Sequence, residues 1–130
     1  RDRWRVALIG VGNLGSALIS YKGFKEREFN IVAAFDNNRR IAGRVRRGVR
    51  INHISKLKSV VRKAKIKMAI ITVPVHEAQT VVDKVVEAGI KAILNFAPTK
   101  PKVPDFVALL NIDMGIEMER LSYMATQKNR

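Results

Sequence analysis

Residues 5–18 read Arg5-Val6-Ala7-Leu8-Ile9-Gly10-Val11-Gly12-Asn13-Leu14-Gly15-Ser16-Ala17-Leu18. The opening RVALI is β-rich and apolar throughout, which suits a strand covered on both faces, and it stops at a glycine. Beyond Asn13 the period changes. Leu14, Ala17, Leu18 and Tyr21 share one helical face, which predicts a helix over 13–21 with Gly23 as its stop. Between strand and helix lies G-x-G-x-x-G, a weak signal alone but here in the context it requires. Gly10 permits the tight turn. Gly12 lacks a Cβ, so a pyrophosphate can approach the backbone, and Gly15 lets the helix pack against the strand. Val11, Asn13 and Leu14 complete a loop whose free amides, aided by the helix dipole, face the phosphates.

Working outward, residues 31–35 (IVAAF) form a second apolar run that ends in Asp36, 21 residues beyond Gly15. A carboxylate at that strand end accepts hydrogen bonds from both adenosine ribose hydroxyls and repels a 2′-phosphate, which favours NAD(H) over NADP(H). Arg39 and Arg40 pull the other way, because a nearby arginine can hold a 2′-phosphate. Asp36 carries more weight because it occupies the diagnostic position. Asn37-Asn38 then favours a turn.

The later elements are coarser. Residues 41–54 are β-branched and glycine-punctuated, and read as a turn, a short edge strand, or both. Ser55 can cap a helix to about residue 63, with Leu57, Val60, Val61 and Ala64 on one face. A strand is expected over 68–73, stopped by Pro74, then a helix over 76–88 closed by Gly89. A strand over 92–96, a proline-broken loop over 97–104, a strand over 107–112 and a helix over 115–124 complete the chain. Ile116, Met118, Leu121 and Met124 spread around that last helix, which implies two packed sides. Strands alternating with helices predict an α/β, Rossmann-like, doubly wound and mostly parallel sheet with helices on both faces. In such a sheet the carboxyl ends of strands line the ligand crevice. Thr72, Val73 and Pro74, and Asn95 with Ala97, are therefore candidates to border the nicotinamide half of a dinucleotide.

The 130 residues, 47% of them apolar, suit one domain with one core. No apolar run approaches the roughly 18 residues of a membrane span, so no membrane partner is expected. The absence of cysteine excludes disulfides, thiolate metal sites and cysteine nucleophiles, and fits a cytoplasmic protein. The chain opens Arg1-Asp2-Arg3-Trp4 with a strand almost at once, and reads as a fragment of a longer protein. The net charge of +14 is uneven: residues 1–67 carry 18 Lys/Arg against 4 Asp/Glu, and residues 68–130 carry 7 against 7. From residue 39 to 67 there are 12 basic residues and no acid. Two readings stand, a solvated basic face, natural or engineered, and a non-specific polyanion contact. The two histidines, His53 and His76, form no catalytic constellation, and no His/Asp/Glu group has metal-ligand spacing. The expectation is neither a catalytic residue nor a metal.

Together these segments resemble Rex redox-sensing repressors. Residues 6–18 are similar to that family's cofactor motif. So are Ala33-Ala34-Phe35-Asp36, Ile71-Thr72-Val73-Pro74 with Ala78-Gln79, and Gly89-Ile90-Lys91-Ala92-Ile93-Leu94-Asn95-Phe96-Ala97-Pro98. Asn111-Ile112-Asp113 before a helix with Glu117 also fits. The resemblance covers about residues 4–125 and implies the NAD(H)-binding C-terminal domain of a homodimeric repressor. An N-terminal winged-helix domain, absent from this chain, would bind operator DNA, with NAD⁺ favouring binding and NADH releasing it. It also implies that the last helix is exchanged between subunits. Asp113 matches an acidic residue of the redox-dependent interdomain contacts, and Met114 an apolar position near the nicotinamide. Two features depart from the family: the winged helix is missing, and the acid-free stretch 39–67 is unusual.

Two other functions compete. One is the cofactor half of an NAD-dependent reductase, disfavoured by the lack of an acid–base pair. The other is a CoA-binding domain of the acyl-CoA ligase type, disfavoured by Asp36, since the adenosine ribose of CoA carries a 3′-phosphate.

Overall fold

The computed structural model describes residues 3–128. The expected first strand, β1 (Trp4–Ile9), occupies the middle of a seven-stranded sheet. Parallel neighbours flank it: β2 (Phe29–Asp36) on one side and β5 (Met68–Ile71) on the other. Beyond β5 lie β6 (Ala92–Asn95) and β7 (Ala108–Asn111), also parallel. Beyond β2 lies β4 (Val49–His53), parallel to it, and then the two-residue β3 (Val45–Arg46), antiparallel to β4. The order is therefore β3-β4-β2-β1-β5-β6-β7, with the chain reversing direction across the sheet after β4. That reversal places a ligand crevice at the carboxyl ends of β1, β2 and β5.

Register explains the apolar runs. Ile9 lies between Phe35 and Ile71, and Leu8 between Ala34 and Ile70, all buried. Alternate residues face opposite sides, so a strand covered on both faces must be apolar at every position. Ile9, Phe35, Ile71 and Ile93 pack beneath α3 (Leu57–Ala64) and α4 (Ala78–Glu87), which contribute Leu57, Val61, Val81, Val82 and Val85. Each of these valines contributes about 1.5–3 kcal/mol through burial. The opposite face, with Val6, Leu8, Ala34 and Ile70, meets α1 (Asn13–Ile19) and α2 (Lys22–Glu26) through Leu18, Ile19 and Phe24.

Several expectations change. The first helix ends at Ile19 rather than residue 21, and Gly23 lies buried inside α2 instead of stopping a helix. Its missing Cβ makes room for the Tyr21 ring, which in turn stands edge-on to Phe24 at 4.8 Å. Residues 41–54 hold two strands, of which β4 is internal. The hairpin turns on Arg47 and Gly48, both at positive φ, as a two-residue turn of matching twist requires. His53, not Ser55, is the capping residue: its Nδ1 accepts from the Ser55 amide at 3.2 Å, ahead of α3, which itself has no side-chain cap. A short 3₁₀ turn (Ile54–Lys56) then precedes α3. A similar turn (Val75–Glu77) opens α4, so the helix predicted from residue 76 begins at 78.

The last helix, α5 (Met114–Lys128), is longer than expected at both ends, and none of its residues is buried. The sheet face at β6 and β7 is also left open, with Leu94 half-buried and Leu110 71% exposed. Val6, Phe24, Met68, Ile70, Leu94 and Leu110 line an apolar groove of about 510 Å³ there.

Candidate functional site: the glycine-loop cleft

The chain leaves β1 through Gly10 at φ +101°, a conformation that a side chain would strain. A Cβ there would also meet the Thr72 carbonyl oxygen at 2.7 Å. Backbone bonds bind the turn on both sides: the Gly10 amide donates to Phe35 O and the Thr72 amide to Ile9 O, each at 2.8 Å. The Thr72 hydroxyl donates to Gly10 O at 2.7 Å. Gly15 lies so close to the Gly10 carbonyl that a Cβ would collide with it. Gly12 is different. A Cβ there would meet nothing within 4 Å, so its bareness serves no packing inside the chain. It fits a cradle into which a phosphate can come close. No side chain caps α1, which leaves first-turn amides available. The seven-residue helix has a short dipole, so these amides matter more than the macrodipole.

Asp36 is tied into the same loop. Its Oδ2 accepts from the Val11 amide at 2.8 Å and its Oδ1 from the Asn38 amide at 2.9 Å. A carboxylate has about four lone-pair directions, so each oxygen retains room for a hydroxyl donor. Arg39 and Arg40 are exposed and do not line the cleft.

The cleft itself has a volume of about 780 Å³, within the roughly 300–1,000 Å³ typical of ligand sites. Its floor is Ile9, Gly10, Val11 and Gly12, and one wall is Asp36, Asn37 and Asn38 with Ile54. The other wall is Thr72, Val73 and Pro74 followed by His76, Glu77, Thr80, Val81 and Lys84. Seven of the residues singled out in the sequence thus come together: Gly10, Val11, Gly12, Asp36, Thr72, Val73 and Pro74. Asn13, Leu14 and Gly15 stand behind them in α1.

Asn95 and Ala97 are buried one strand further along and do not line the cleft. The Asn95 carboxamide is fully occupied. Its Nδ2 donates to Ala97 O, Thr99 O and Asn111 Oδ1, and its Oδ1 accepts from the Ala97 amide. Asp113 caps α5 through a bond from the Ile116 amide at 3.1 Å, and Met114 is 61% exposed. Both lie outside the cleft.

The residues that sequence reasoning missed are mostly on α4 and its entry turn. Glu77, Thr80, Val81 and Lys84 recur at helical spacing, so one stripe of that helix faces the cleft. The signal was present, but the register of the stripe could be read only once α4 was placed beside β5. His76 lies 3.6 Å from Glu77 and is largely exposed, without a catalytic partner. Among the described residues no group of His, Asp or Glu is arranged to hold a metal ion, and no helix is long and apolar enough to cross a membrane.

Residues 1–99 match the family model of the CoA binding domain. The redox-sensing transcriptional repressor Rex of Desulfitobacterium hafniense is 43% identical over 120 residues, which is 92% of this chain and 57% of that protein. The Rex-family repressor RSP, solved with β-NAD⁺ and operator DNA, is 35% identical with a TM-score of 0.91 over 97% of this chain and 58% of its own. RSP solved with β-NADH gives a TM-score of 0.89. UDP-D-quinovosamine 4-dehydrogenase from Vibrio fischeri, at 20% identity and a TM-score of 0.64 over 72% of this chain and 77% of its own, shares the fold alone. The chain spans a little under two thirds of the length of the Rex relatives it matches.

Proposed function

We propose, because the chain belongs to the CoA binding domain family as a Rossmann domain of the Rex type, that it binds NAD(H) and reports the NADH/NAD⁺ balance to a DNA-binding domain. The observation that carries this reading is the tether between Asp36 and Val11, which holds a ribose-recognising carboxylate against an open glycine cradle. Gly10, Gly12 and the adjoining amides would hold the pyrophosphate, and Asp36 the adenosine ribose. Thr72, Val73 and Pro74 would flank the nicotinamide half. When bound, the nicotinamide supplies the redox signal through its charge. The chain's own residues orient the dinucleotide and are not asked to move a proton. A regulator rather than an enzyme is the reading that the repressor relatives support, and it would act in the cytoplasm.

The test is a titration with NADH, NAD⁺, NADPH and CoA. Tight NADH binding with weak NADPH and CoA binding is expected. CoA is the second reading, since the matched family is named for it, and binding of CoA in preference to NADH would establish it. Steady consumption of NADH with a carbonyl substrate would favour the reductase reading.

For the partners we propose a homodimer with α5 exchanged, and operator contact through a winged-helix domain of the full-length protein. The unburied α5 and the uncovered apolar groove support the exchange. Asp113 and Met114, at the start of α5, would then act between subunits as a redox-linked switch. The basic stretch supports weak polyanion binding. Arg44, Arg47, Arg50, Lys58 and Arg62 are exposed on the β3–β4 hairpin and α3. Among the described residues none between 39 and 67 has a carboxylate within ion-pairing distance. Such binding should fall steeply with salt and ignore sequence. Salt-resistant, operator-selective binding by these residues alone would contradict it.

A further inference from the structure

The two walls of the cleft are joined by one side-chain bond. Asn37 Nδ2, immediately beyond the end of β2, donates to Glu77 Oε1 at the entry to α4, at 3.0 Å across 40 residues of sequence. Glu77 is half-buried and lines the cleft together with Asp36, Asn37 and Asn38. The bond fixes its carboxylate beside the residue that follows the ribose-recognising aspartate. We propose that Glu77 is a second determinant of cofactor specificity, acting with Asp36 to exclude an adenosine ribose that carries a 2′-phosphate. The proposal rests on the NAD(H) reading of the cleft.

The argument is electrostatic. A 2′-phosphate would emerge at the end of β2, where Asp36 already opposes it. Glu77 adds a second negative charge on the facing wall, in a cleft where part of the surrounding medium is protein and not water. Its hydrogen bond to Asn37 limits its freedom to swing away. A free 2′-hydroxyl carries no charge and is indifferent to this second carboxylate, or gains an acceptor from it. The opposing cation in the lining is Lys84, two turns further along the same helix face, with His76 beside Glu77 itself. Arg39 and Arg40 are exposed and lie outside the cleft lining, so water and salt screen them more than the two lining carboxylates.

Glu77→Gln tests this directly, since glutamine keeps an oxygen to accept from Asn37 and removes only the charge. Dissociation constants for NADH and NADPH are measured by fluorescence titration in the parent and the variant, at low and high salt. NADPH affinity should rise about fivefold at low salt while NADH changes less than about twofold, and the gain should shrink as salt screens the charge. Parallel changes in both affinities would reduce Glu77 to a structural link and overturn the proposal. So would an unchanged NADPH affinity in a variant that still binds NADH, which leaves the NAD(H) reading intact. A parent that binds neither dinucleotide overturns both.

Discussion

At the glycine-loop side of the sheet, Ile9, Phe35 and Ile71 are sealed beneath α3 and α4, with exposures of 1% or less. At the β7 side Leu110 is 71% exposed, and Ile116, Met118, Leu121 and Met124 of α5 all show about half their surface or more. The same chain thus finishes one end and leaves the other open. The finished end holds the cleft, so the phosphate and ribose contacts proposed for it would need only this domain. The open end holds Asp113 and Met114, the residues that the family resemblance links to switching. On the proposed reading, sensing would be complete within the domain, and response would depend on structure outside it.

The contrast can be broken most severely in the sealed core. Ile71→Ala should cost about 3 kcal/mol of stability by urea unfolding, since it leaves a cavity between β1 and β6. A loss below about 1 kcal/mol would show that this end is not sealed. Next comes Gly12→Val. Because a Cβ at Gly12 meets nothing within 4 Å, the variant should fold as the parent does yet bind NADH about 100-fold more weakly, a difference of about 2.7 kcal/mol. Unchanged affinity in a folded variant would remove the glycine cradle from the site.

Asp36→Ala should be milder. It removes the ribose acceptor and the bond from Val11, weakening NADH by about tenfold, or about 1.4 kcal/mol, and narrowing the gap to NADPH. A parent that prefers NADPH would reverse the assignment in favour of Arg39 or Arg40. At the open end the smallest effect is expected. Leu121→Ala should alter the stability of the dilute domain by no more than about 0.5 kcal/mol, because more than half of its surface is already exposed. Deleting residues 114–130 should lower dimerisation in sedimentation while leaving the glycine-loop half of the NADH site intact. A strictly monomeric parent at high concentration would end the exchange hypothesis.

What was legible in the sequence was local. RVALI, the three glycines and Asp36 each carry their meaning within a few residues, and the structure places β1, the loop and the end of β2 accordingly. The features that escaped depend on contacts across the chain. Gly23 looked like a helix stop, but its role is set by the Tyr21 ring folding over it. Ser55 looked like a cap, but His53 at the end of β4 reaches the amide first. The stretch reads locally as an edge strand, whereas β4 is internal because it pairs with β2 on one side and β3 on the other. Nothing in the sequence around Glu77 announces Asn37, 40 residues away. Asn95 stands at a strand end, where a ligand contact is expected, and its side chain turns inward to the loop.

That inward turn leaves position 95 almost no freedom to vary. The two amide protons of Asn95 serve three oxygens, while its own oxygen serves one N–H. Aspartate has the same shape but would set an oxygen against three others. Leucine has similar bulk but would orphan all four partners in a fully buried site. The residue also joins the loop after β6 to Asn111 on β7, three positions from the first residue of α5. One buried side chain therefore ties the outermost strand to the loop after β6. A substitution here that kept the fold would have to find new partners for the groups Asn95 now satisfies.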